Sequence, residues 1–108
     1  MIKFERYINE DGKVAVLVSP GYGAGWSTWQ SGDEEMFCMD KGLVEMRLRD
    51  ATADEVEKYL RGRVAGYIST LGWGNVEIEW LDPGTQFTIT EYDGSESLHL
   101  IADLSMTA

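Results

Sequence analysis

Residues 14–18, Val-Ala-Val-Leu-Val, form an unbroken apolar run, and no other stretch restricts the fold as much. A strand that is apolar at every position has no wet face, so it must lie centrally with protein on both sides. A chain of 108 residues has room for one core of this kind and one domain, 1–108. The other elements must therefore supply both covering layers. An apolar share of 44% is enough for this, and the chain's charge does not force disorder on it.

Turn residues mark out those elements. Lys3–Ile8 and Lys13–Ser19 read as strands, and the Asp11-Gly12 pair between them favours a hairpin. Residues 33–49 carry acidic residues at the start and an approximate helical face of Phe37, Asp40, Val44 and Leu48. Val44, Met46 and Leu48 also alternate with Glu45, Arg47 and Arg49, as in a strand, and helix is the favoured reading. Thr52-Ala53-Asp54-Glu55 is a capping box. The helix it opens has Val56, Tyr59, Leu60 and Val64 on its apolar face and Gly66 as its stop. Val76–Leu81 alternates, with Val76, Ile78 and Trp80 opposite Glu77 and Glu79. A type II turn at Asp82-Pro83-Gly84-Thr85 leads to Gln86–Tyr92, and the Asp93-Gly94 turn leads to Ser97–Ile101. The expected fold is α+β: a mostly antiparallel sheet, made of an N-terminal hairpin and a C-terminal three-stranded meander, with one or two helices packed on one face and glutamates on the other.

Charge narrows the function classes. The chain carries 19 Asp and Glu against 9 Lys and Arg, a formal −10. The 45 residues after Arg63 hold seven carboxylates and no Lys or Arg. Such a surface repels phosphate backbones and anionic lipid and attracts basic protein surfaces, although solubility alone accounts for many acidic proteins. Direct nucleic-acid and membrane binding are disfavoured. The single cysteine, Cys38, excludes an internal disulfide, and neither a long apolar span nor a signal-peptide pattern is read, so a reducing cytoplasm is the expected compartment.

Residues 20–29, Pro-Gly-Tyr-Gly-Ala-Gly-Trp-Ser-Thr-Trp, are the most unusual segment, with three glycines and three large aromatics. Neither the dinucleotide spacing nor the Gly-Lys-Ser/Thr of a P-loop is present. Two readings stay open. Tyr22, Trp26 and Trp29, with Trp73 and the backbone of Gly23 and Gly25, could cage a flat ligand, or Trp26 and Trp29 could turn inward as core.

Glu77 and Glu79 share a strand face about 7 Å apart, a spacing that a glycosidase pair could use and that a solvated face explains more simply. Asp93 and Glu96 lack the EF-hand spacing, and no metal or cofactor is expected. Cys38 and His99, each the only residue of its kind, would form a nucleophilic dyad only if the fold joined them. No Gly-x-Ser-x-Gly elbow occurs, so enzymatic activity has no positive support.

The segments Val16–Trp29, Asp40–Glu45 and Glu91–Ser97 resemble a family of small acidic proteins encoded by bacteriophages and prophages. The resemblance carries over no catalytic or ligand residue. It implies a phage accessory protein acting in a bacterial host, in a class that includes anti-defence and anti-CRISPR factors that occupy basic grooves. Three functions are therefore expected as alternatives. The first is binding to a basic host protein through Glu77, Glu79, Glu91, Asp93 and Glu96. The second is sequestration of a small or nucleotide-like ligand by the glycine-aromatic loop. The third is a role as a virion or assembly component, with the oligomeric state, homodimer included, left open.

Overall fold

The computed structural model describes residues 3–21, 23–30, 32–100 and 105–108. Tyr22 and Ile101 lie outside the described residues. The apolar run forms β1 (Val14–Val18), and all five of its residues are buried. Ala15 and Leu17 face a cluster with Trp26, Phe37, Leu43, Val56, Leu60 and Trp73. Val14, Val16 and Val18 face a second cluster with Phe87, Ile89 and Met106. The central strand thus has the two dry faces that its sequence requires.

Three helices, α1 (Glu34–Met39), α2 (Lys41–Leu48) and α3 (Ala53–Arg61), pack into the first cluster, and α1 also sends Cys38 and Met39 into the second. Segment 33–49 is helical but broken at Asp40, which has extended backbone angles. Its neighbour Lys41 donates its N–H to the Glu5 carbonyl at 2.7 Å, and Asp40 pairs with Arg6 in an isolated bridge. The Asp40 side chain then caps α2 by accepting from Leu43 N–H at 3.1 Å. The capping box of α3 is complete, with Thr52 accepting from Glu55 N–H and Glu55 accepting from Thr52 N–H. α3 ends at Arg61 with Gly62 as its cap, earlier than the expected stop at Gly66.

The class is α+β with antiparallel sheets, and the pairing of its strands differs from the meander expected. β2 (Glu77–Leu81) pairs with β1, in register Val14↔Leu81 through Val18↔Glu77. β3 (Gln86–Tyr92) lies between β4 (Ser95–Leu100) and β5 (Met106–Thr107) in a separate three-stranded sheet. The turn at Pro83-Gly84 is therefore a corner between sheets, closed by Thr85 N–H on the Asp82 carbonyl at 3.1 Å. The C-terminus holds that corner, because Gly84 donates to Ala108 and Ala108 donates to Thr85, each at 2.8 Å. Chain 106–108 therefore occupies the edge of β3 that a meander would give to β2. The Asp93-Gly94 hairpin forms as expected, with positive φ at both residues. The N-terminal hairpin is reduced to a turn and a bridge between Ile8 and Val14, and its first arm is not a continuous strand.

Replacing Thr52 by Ala removes one side of an exposed capping box and should lower stability by about 1 kcal/mol, or about 5 °C in Tm. Thermal unfolding followed by circular dichroism measures this.

Candidate functional site

The glycine-aromatic loop is built around a carboxylate from β4. Glu96 is 2% exposed. Its Oε1 accepts from Ser19 N–H at 2.9 Å. Its Oε2 accepts from Trp26 N–H at 2.7 Å, Thr28 N–H at 3.1 Å and the Thr28 hydroxyl at 2.6 Å. The backbone of Glu96 also donates to the Ser19 carbonyl at 2.8 Å. A buried carboxylate is tolerable only with donors of this kind, and here they are backbone groups and one hydroxyl.

The glycines have structural roles in this arrangement. Gly23 has φ of +115° and donates to the Asp93 carbonyl at 3.2 Å. A Cβ on Gly25 would lie 2.6 Å from the Trp29 ring. Gly94, at φ +83°, sits so close to the loop that a Cβ would come within 2.6 Å of Ala24 N. Ser95 completes the seam by donating its hydroxyl to the Pro20 carbonyl at 2.7 Å.

The tryptophans do not converge on a cage. Trp26 is fully buried, donates Nε1 to the Phe37 carbonyl at 2.7 Å, and packs 5.3 Å from the Trp73 ring. Trp73 is 2% exposed, donates to the Ala51 carbonyl at 2.8 Å and lies under the Arg47 guanidinium. Trp29 is half-buried, and its Nε1 reaches Glu91 at 3.3 Å. Tyr22 is outside the described residues.

The five carboxylates expected on one recognition face separate into different environments. Glu96 is internal, so its expected place at the surface is corrected. Glu91 is exposed but accepts from Gly94 N–H at 2.6 Å as well as from Trp29. Asp93 is exposed at the left-handed position of the hairpin turn. Glu77 and Glu79 are exposed on β2, opposite Val18 and Val16. The outer face of the three-stranded sheet carries Thr88, Thr90, Tyr92, Ser97 and His99 in place of the expected glutamates. These residues lie on one face because Phe87 and Ile89 alternate with them toward the core.

The position of β2 is the feature that sequence reasoning missed. Ala15 N–H donates to the Tyr7 carbonyl, and the Ser19 carbonyl accepts from Glu96 N–H, so the odd positions of this strand aim their backbone away from β2. The even positions bond β2 through Leu81, Glu79 and Glu77, and Ile78 and Trp80 turn their N–H and C=O groups outward. Among the described residues no strand pairs with that edge. Trp80 is 39% exposed and packs 6.0 Å from Tyr7 across the small Ala15. The ring also walls a groove of ≈ 400 Å³ whose lining includes Ile8, Leu48, Asn9, Glu10 and Asp11.

A second cleft, of ≈ 380 Å³, opens over Asp40 and is lined by Lys3, Lys41, Tyr59 and Arg63 among others. Asp40 is buried and accepts from the Tyr59 hydroxyl at 2.6 Å, while Arg63 bonds the same hydroxyl at 2.8 Å and the Lys3 carbonyl at 3.3 Å. These contacts join α2, α3 and the N-terminal segment. Desolvation, together with the hydrogen bond and charge of Asp40, pushes the Tyr59 phenol up to about 12.

Cys38 is fully buried beside Met106, and burial with the charges of Glu34, Glu35 and Glu96 pushes its thiol up. His99 lies exposed against Thr90 on the outer face of the three-stranded sheet, while Cys38 is packed under its inner face, so the two are not brought together as a dyad. Glu34 is also raised, mainly by desolvation and then by the charges of Glu96 and Glu35. Among the described residues no cluster of His, Cys, Asp and Glu could hold a metal ion, and no helix is long and apolar enough to cross a membrane. Compared with protein families, curated proteins and solved structures, the chain matches none.

Replacing Glu96 by Ala leaves several buried N–H groups unpaired and should cost about 4 kcal/mol, and Glu96→Gln about 2 kcal/mol, read by urea unfolding followed through tryptophan emission. Tyr59 binds its proton more tightly when folded, so its contribution to stability is intact below pH 10 and is lost as pH rises toward 12. The alkaline loss should be smaller in Tyr59→Phe, measured as the difference between the two proteins' unfolding curves across that window.

Proposed function

We propose that the chain is a non-enzymatic binding protein that docks on a basic surface of another protein through the carboxylates of β2. The observation that carries this reading is that Glu77 and Glu79 project from an edge strand with no intramolecular ion pair among the described residues. Asp93 adds an exposed charge on the other sheet. Glu91 and Glu96 belong to the scaffold, because their oxygens are engaged by the loop.

In the context that the sequence resemblance implies, the partner is a host protein with a nucleic-acid groove, and the chain is an anti-defence factor that blocks it. The net charge of −10 supports this, because an anionic protein competes for the field that draws phosphates into such a groove. Ligand sequestration by the loop is less well supported, since Trp26 and Trp73 have no face open to a ligand.

The test is capture of a bacterial protein on the immobilised chain, followed by competition. A captured partner should be released by a short nucleic-acid duplex and by about 1 M salt, where screening shortens to about 3 Å. The double reversal E77K/E79K should retain roughly a tenth as much or less. Capture that is indifferent to salt, to duplex and to the double reversal would overturn the reading.

A further inference from the structure

We infer that the outer edge of β2, unpaired among the described residues, is a strand-addition site for an extended segment in which basic residues alternate with apolar ones. This rests on the acidic-surface reading and specifies how that surface is engaged.

Three observations converge on this edge. Ile78 and Trp80 direct their N–H and C=O groups outward, so a segment laid alongside finds backbone partners already spaced for a ladder. The side chains of β2 differ on its two faces, with Glu77 and Glu79 on one and Ile78 and Trp80 on the other. An added strand would set alternate residues beside each face, so those near the glutamates favour lysine or arginine and those near Trp80 favour aliphatic side chains. Trp80 is 39% exposed, so the apolar side of an added strand finds ring surface to cover.

Charge selects the occupant. Two copies of β2 paired edge to edge would bring Glu77 and Glu79 of one against those of the other, and like charges in opposed positions are repulsive. A basic segment removes that repulsion. The same carboxylates that discourage a second copy therefore favour a basic partner.

The experiment uses the full chain and a short blocked peptide alternating lysine or arginine with valine or isoleucine. Two controls have the same composition: one with the basic residues grouped at one end, and one N-methylated at alternate amides. Calorimetry should show the alternating peptide binding at least about tenfold more tightly than either control. Amide exchange should slow at Ile78 and Trp80, and E77K/E79K should weaken binding. Equal binding by the N-methylated peptide, or unchanged exchange at Ile78 and Trp80, would overturn strand addition. If E77K/E79K still reduced capture of the host partner, the acidic-surface reading would stand without it. Failure of every peptide to bind would overturn strand addition, as would a dimer in light scattering with those amides protected in the absence of peptide.

Discussion

The carboxylate of Glu96 ties the two sheets together, and the geometry around it follows from the cost of burying it. It leaves the edge strand β4, crosses to the end of β1 and takes up N–H groups from Ser19, Trp26 and Thr28. A charged group removed from water is stable only when donors replace its hydration. To present such donors the chain must curl tightly after Val18, and Gly23 and Gly25 permit the curl. The curl in turn lets the Asp93-Gly94 hairpin close against it, with Gly94 leaving space where any side chain would strike backbone. The composition of the loop thus answers to an internal anion, with Trp26 carried inward to fill the core behind it.

The layer order follows from β1. With both faces dry, it needs helices over Ala15 and Leu17 and a second sheet over Val14, Val16 and Val18. In one sheet running through all the strands, β3 to β5 would lie beside β1 and leave the face of Val14, Val16 and Val18 without them. Splitting the strands at the Pro83-Gly84 corner lets β3 fold across β1, and the C-terminal chain then occupies the remaining edge of β3. The corner and the terminal pairing are thus parts of one solution to covering the central strand.

Elements governed by local chemistry were legible in the sequence. The capping box at Thr52 and the Asp93-Gly94 turn depend on residues a few positions apart, and both form as the residues indicate. The dry strand at 14–18 was equally plain, since its composition admits one environment. Partner choice was not legible. Val76–Leu81 alternates as a half-wet strand whether it pairs with β1 or with β3, so its pattern fixes faces and leaves the neighbour open. The break at Asp40 was hidden for a similar reason: an aspartate inside a helical pattern becomes a cap only when a distant segment, here Glu5 and Arg6, pairs with the backbone around it. The site was legible in part, because Glu77 and Glu79 could be placed on a wet face, whereas nothing near Glu96 in sequence marks it as the anchor of a loop some seventy residues earlier.

A net charge of −10 invites a picture of a uniformly acidic face, and the arrangement is more selective. Glu96 and Asp40 act inside the fold, Glu91 fastens a turn, and Asp82 pairs with Lys13. What is left on β2 is a pair of carboxylates beside a backbone edge that is unpaired among the described residues. An open edge is a hazard in any small sheet protein, and charge at the edge is a common defence against self-pairing. That defence discriminates by sign. It turns away copies of the same strand and admits a segment of opposite charge, so the feature that keeps the edge from self-association also specifies what can bind there.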